Sequence, residues 1–137
     1  MTEIKNEFPP NYDAIFKAFK PGKHVVFAYD DAIYNPHNLL LREAIIEHEK
    51  VHLRQQKKHP GGAVGWWEDY IRDKYFRLRQ EAEAHRQEYL VMMDKAINRH
   101  ERRSAARIVA KKLASPLYGR LVAEKNALLY IKSGLMP

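Results

Sequence analysis

The sequence contains no cysteine. Disulfides are therefore excluded, and so is any metal site built on thiolates. A metal ion held by this chain must sit on histidine and carboxylate ligands. Long apolar runs are missing as well: stretches such as Leu39–Leu41 and Ala44–Ile46 are far too short to span a bilayer. The opening MTEIKNEFPP has neither a basic n-region nor an apolar h-region, which argues against a signal peptide. A cytoplasmic protein with no membrane partner is the expectation. Internal repeats and low-complexity segments are also lacking. What remains is a chain of 137 residues, 45% hydrophobic and 30% charged, which fits one globular domain over residues 1–137 with a modest core.

The net charge is +7, and much of it lies between Arg99 and Lys112. There Arg99, Arg102, Arg103, Arg107, Lys111 and Lys112 face only Glu101. Such a segment is either a solvated helix face or a surface for phosphate backbones. No RNP, zinc-finger or helix-turn-helix pattern accompanies it, so the solvated face is the simpler reading and a nucleic-acid partner the weaker one.

Punctuation divides the chain. Asn11 suits the N-cap of a short helix through Ile15, Phe16 and Phe19, ended by Pro21-Gly22. The β-branched and aromatic stretch His24–Tyr29 predicts a strand, and Ala32–Tyr34 a second one returning after Asp30-Asp31. A long helix is expected from about Asn38 to Lys58, with Leu41, Ile45, His48 and His52 on one buried stripe. After Pro60-Gly61-Gly62 a short helix carries Trp66 and Trp67, which are expected in the core. Asp73 is expected to cap a helix over about 74–98, with Tyr75, Leu78, Ala82, His85, Tyr89 and Met92 inside. Ser104 is expected to cap a further helix, which Ser115-Pro116 breaks. A last helix spans 121–131. The fold class is α+β, mainly helical with a small antiparallel sheet. His24, His37, His59 and His100 are expected at the surface. Whether Gln55 and Gln56 line a cleft stays open.

One segment carries chemistry. His48-Glu49-Lys50-Val51-His52 reads H-E-x-x-H. On a helix, residues four apart lie on one face with Cβ atoms roughly 5–6 Å apart. Two imidazoles at that spacing can share one metal ion, and the intervening glutamate can reach the water on it. Zn2+ in a catalytic site takes three protein ligands and keeps one position for water. Gln55 and Lys58 stand where the extended metzincin pattern needs Gly and His, so the third ligand must come from elsewhere. Glu81 shares the inner stripe of its helix with Leu78 and His85, while Glu83 falls on another face. Glu81 is therefore preferred as the metal ligand. His85, one turn on, is placed to hydrogen-bond a metal-bound imidazole.

These residues resemble a gluzincin-type zinc metallopeptidase, with H-E-x-x-H on one helix and a Glu on a following one. Glu81-Ala82-Glu83-Ala84-His85 matches the E-x-E-A-D segment of several such families, with His in place of Asp. The longer string is similar to small zincin-like peptidases of tailed bacteriophages and prophages. The likeness runs through Val26–Tyr29, Ile33–Pro36, Arg54–Gln56, Trp66-Trp67 with Tyr70, Phe76–Leu78 with Gln80-Glu81, and Ser115–Gly119. It implies peptide hydrolysis in the host cytoplasm, with zinc lowering the pKa of a water toward ~7 and Glu49 as general base. The substrate would be a protein or peptide, added as an extended strand to the edge around Val25–Tyr29. Tyr118 and Tyr34 are the candidate donors to the oxyanion. The alternative is a non-enzymatic phage structural or host-interaction module that keeps a metal site.

Overall fold

A two-residue turn starts the architecture. Asp30 adopts the left-handed backbone (φ 60°) that tight hairpins require, and Asp tolerates it. It joins β2 (Phe27–Tyr29) to β3 (Ala32–Tyr34) in antiparallel register, with Tyr29 opposite Ala32 and Phe27 opposite Tyr34. The first strand, β1 (Glu3–Lys5), pairs parallel with β3, so the sheet runs β1-β3-β2 and is mixed rather than antiparallel as expected. β1 escapes sequence reading because Glu3-Ile4-Lys5 is mostly exposed and has no apolar face of its own. The computed structural model describes residues 2–137.

Six helices among the described residues make up the rest: α1 (Tyr12–Phe19), α2 (Glu43–Lys58), α3 (Gly62–Arg72), α4 (Lys74–Lys95), α5 (Arg99–Leu113) and α6 (Glu124–Ser133). None is long and apolar enough to cross a membrane. α2 starts five residues later than its periodicity suggests. The side chain of Asn35 binds both the N–H (3.0 Å) and the C=O (2.9 Å) of Leu39, and Asn38 turns left-handed (φ 49°). That lock holds residues 35–39 as a loop, so Leu41 joins the core from outside the helix. Asp73 caps α4 as expected, accepting from the N–H groups of Tyr75 and Phe76. Tyr75 itself is 64% exposed, while its neighbour Phe76 turns inward toward Trp66. α5 begins at Asn98, not Ser104. The Asn98 side chain accepts from Glu101 N–H (2.8 Å), and the Glu101 carboxylate reaches back to Ile97 N–H (3.3 Å). The strand expected from His24 is confined to Phe27–Tyr29, and the last helix to Glu124–Ser133.

Two cores flank α2 and α4, which pack against each other. On one side α4, α5 and α6 bury Leu78, Tyr89, Val109, Leu113 and Ile131. The small Ala105, Ala106 and Ala110 bring α5 close. On the other, α1, α3 and the sheet bury Ile15, Phe27, Tyr34, Trp66, Trp67 and Tyr70. Between the two cores lies a polar seam: His48, Glu49, His52, Glu81, His85 and Glu88 are all under 8% exposed. A seam of that kind is costly to bury unless its charges and lone pairs are matched.

Candidate metal centre

The i,i+4 spacing on α2 brings the rings of His48 and His52 to 5.0 Å, and α4 lays Glu81 against both. Glu81 Oε1 stands 3.4 Å from His48 Nε2 and 3.2 Å from His52 Nε2. Donor atoms about 2.0–2.1 Å from one tetrahedral ion are about 3.3 Å apart. The two separations match that edge. Glu83, the rejected alternative, is exposed and takes a hydrogen bond from Gln55 Nε2 (2.6 Å).

The protons argue the same way. His48 Nδ1 donates to Glu88 Oε1 (2.9 Å), and the other oxygen of Glu88 is paired with the ammonium of Lys112. His52 Nδ1 donates to Gln55 Oε1 (2.8 Å). That amide is oriented unambiguously, because its nitrogen donates to the Gln80 carbonyl (3.1 Å) and to Glu83. With Nδ1 as the protonated atom of the neutral ring, each Nε2 turns toward the carboxylate of Glu81. Once the protons that otherwise lie between them are displaced, three acceptors converge, which is the donor set of a cation. The hydroxyl of Tyr70 donates to the remaining Glu81 oxygen and fixes its rotamer.

Glu49 behaves differently. Its Oε2 lies 3.5 Å from His48 Nε2, and it forms no ion pair with His52. Burial, only partly offset by His48 and His52, lifts its carboxyl above the ordinary range. Burial pushes Glu81 the same way, but the charge of His52 and hydrogen bonds from His48, His52 and His85 win and hold it well below that range. Burial would depress His48, yet hydrogen bonds to Glu81 and Glu88 raise it to about 10. Without a metal, then, protons hold the position between the imidazoles and Glu81.

This has a measurable consequence. His48 titrates above its ordinary 6.5, so its contribution to metal-free stability is full below that pH and fades as pH rises toward about 10. A metal ion must displace the same proton. Zinc binding at pH 8 is expected to release at least ~1 proton per ion, read by calorimetry in buffers of different ionisation enthalpy. The gain in melting temperature on adding zinc should grow from pH 6.5 to 9. Proton-neutral binding would contradict the assignment.

His85 does not take the role expected of it. Its Nδ1 donates to the backbone carbonyl of Glu81 (2.8 Å), and its ring meets that of His48 edge-on at 4.5 Å without a hydrogen bond. Its Nε2 has no partner among the described residues. Glu88, one turn further, orients His48 instead. Sequence reading missed Glu88 and Lys112, although Glu81, Glu88 and His85 share one helical phase, with spacings of four and three. His48, Glu49 and His52 lie close enough to hold an ion, and so do His48, His85 and Glu88. Lys112 already neutralises the carboxylate of Glu88, so the second group is a poor host for a dication. Glu88→Gln should weaken zinc binding by about 10–100-fold, and an unchanged dissociation constant would refute its orienting role.

The centre opens into a cavity lined by Glu49 together with Ile15, Phe19, Val26, Trp66 and Tyr118. Trp66 and Trp67 are thus core residues, 1% and 8% exposed, and Trp66 is a wall as well. Tyr118, in a single 3-10 turn (Pro116–Tyr118) capped by Ser115, reaches the cavity. Burial and the charges of Glu81 and Glu49 keep its phenol protonated far above neutral pH. Tyr34 is buried in the aromatic core and does not line the cavity. The free edge of β2 is partly closed. The carbonyl of Ala28 already accepts from Gln56 Nε2 (2.8 Å) and Trp67 Nε1 (3.0 Å), and Asp30 N–H is taken by Gln56 Oε1 (2.7 Å). An added strand can pair only nearer Val25-Val26. His24, His37 and His100 are exposed, whereas His59 is half-buried and bound to Asp69 (2.7 Å).

Buried His and Glu residues here can hold a metal ion. Comparison of the chain with protein-family models, curated proteins and solved structures yields no match.

Proposed function

We propose that the protein is a zinc-dependent peptide hydrolase of gluzincin type. The observation that carries this reading is the convergence of two imidazole lone pairs and one carboxylate oxygen at 3.2–3.4 Å, with a second carboxylate beside them. His48, His52 and Glu81 would hold the ion. Zn2+ rather than a harder cation suits two nitrogens and one oxygen. When bound, zinc supplies a Lewis acid that acidifies water and polarises a carbonyl.

The chain's own residues do the rest. Glu49, buried and with its pKa raised, takes the proton of the attacking water at its carboxylate and returns it to the leaving amine. Glu88 and Gln55 hold the two imidazoles in the tautomer that leaves Nε2 free. The phenol of Tyr118 stays protonated and donates to the oxygen that gains charge as the carbonyl is attacked. The apolar walls exclude bulk water, which strengthens these interactions.

The reading is tested by mapping new peptide N-termini in a bacterial lysate treated with the protein. Cleavages are expected with wild type, lost with chelator, restored by zinc and absent with Glu49→Gln. A zinc-loaded protein that produces no Glu49-dependent cleavage would leave the metal site without this function.

A further inference from the structure

We propose that the exposed cationic face of α5 is a docking surface for nucleic-acid backbone. The inference is independent of the metal centre. Arg99, Arg102, Arg103, Arg107 and Lys111 are all exposed, and none forms an ion pair among the described residues. The lone acid in the segment, Glu101, is turned back to cap Ile97 N–H. Lys112 is excluded from the row, because it faces the other flank and is bound to Glu88.

Arg103, Arg107 and Lys111 are four residues apart, so they stack on one face about 6 Å from one to the next. The row spans about 12 Å, the rise of roughly three to four phosphates along one strand of a duplex. Arg99 and Arg102 extend the charge at the N-terminal end. Arginine presents a planar fork of donors that fits phosphate oxygens two at a time. An anionic membrane fits less well. A helix lies in a bilayer surface by burying its apolar face, and that face of α5, with Ala105, Val109 and Leu113, is already packed within the helical core.

The test uses the full chain and fluorescein-labelled DNA and RNA duplexes of about 20 base pairs, read by anisotropy. Dissociation constants on the order of 1–10 μM are expected at about 50 mM salt for at least one duplex. With about three phosphates neutralised, affinity should fall about 40-fold between 50 and 200 mM salt. The triple variant Arg103→Glu/Arg107→Glu/Lys111→Glu should lose binding at least 30-fold while keeping its helical circular dichroism and zinc content. Reversing charge elsewhere, with Lys57→Glu/Lys58→Glu, should change affinity less than about threefold. The proposal is overturned by no binding to either duplex at 50 mM salt, or by equal losses in the two variants. It is likewise overturned if vesicles with about 30% phosphatidylserine bind more tightly than both duplexes.

Discussion

Glu49→Gln is expected to retain about one zinc per chain and the native fold, but to hydrolyse a validated peptide substrate about 10²–10⁴-fold more slowly than wild type. The separation of the two readouts follows from the geometry. A Glu49 oxygen sits 3.5 Å from His48 Nε2 and within 4.8 Å of a ring nitrogen of His52, whereas Glu81 Oε1 stands within 3.4 Å of both Nε2 atoms. Removing the charge of Glu49 therefore leaves the three-donor set intact. The amide is nearly isosteric, so the buried position is filled without a cavity. What the amide lacks is a basic oxygen that accepts a proton. Burial favours the protonated form of Glu49 and so makes its carboxylate a stronger base. Loss of zinc as complete as in His48→Ala would instead make Glu49 a ligand. Undiminished hydrolysis would require a different base.

Glu81→Gln is expected to give the converse pattern: zinc affinity should fall on the order of 100-fold or more, while Glu83→Gln should stay within about threefold of wild type. Glu81 is the only described carboxylate within 3.5 Å of both Nε2 atoms. The metal-free variant should still fold. An amide nitrogen at the Glu81 position can donate to the imidazole lone pairs, and its oxygen can still accept from Tyr70. Metal affinity, measured with a chromogenic chelator competitor, therefore reports the ligand and not collapse of the seam. Glu83 is exposed and holds only Gln55, so its loss slightly loosens the orientation of His52. The reverse ranking would place the third ligand on the wrong face of α4.

Helical phase made much of this centre legible before any coordinates. His48, His52 and Glu81 follow from spacing on two helices, α4 from its Asp73 cap, and α1 and α3 from punctuation, although the Asn11 side chain makes no capping hydrogen bond to α1 as expected of it. At Glu88 and Gln56 the side chain's partner is distant in sequence. Glu88 is not singled out until α5 brings Lys112 across to it. Gln56 stays open between a cleft-lining and a helix-end position until β2 offers it a carbonyl and an N–H to bridge. The same glutamine narrows the strand edge that sequence reading left open for a peptide. The start of α2 was misplaced because Asn35 outcompetes the helix for the backbone of Leu39, a local contest that hydrophobic periodicity does not register. β1 has no apolar alternation to find, since its contribution is backbone pairing at a solvent-facing edge.

The metal content of the purified protein, measured by mass spectrometry of the native chain without added chelator, tests the account at its centre. About one zinc per wild-type chain is predicted, with His48→Ala and His52→Ala close to zero. Wild-type protein that carries no zinc and takes up none when it is supplied would contradict the assignment of His48, His52 and Glu81 as a metal centre, and the proposed hydrolysis with it.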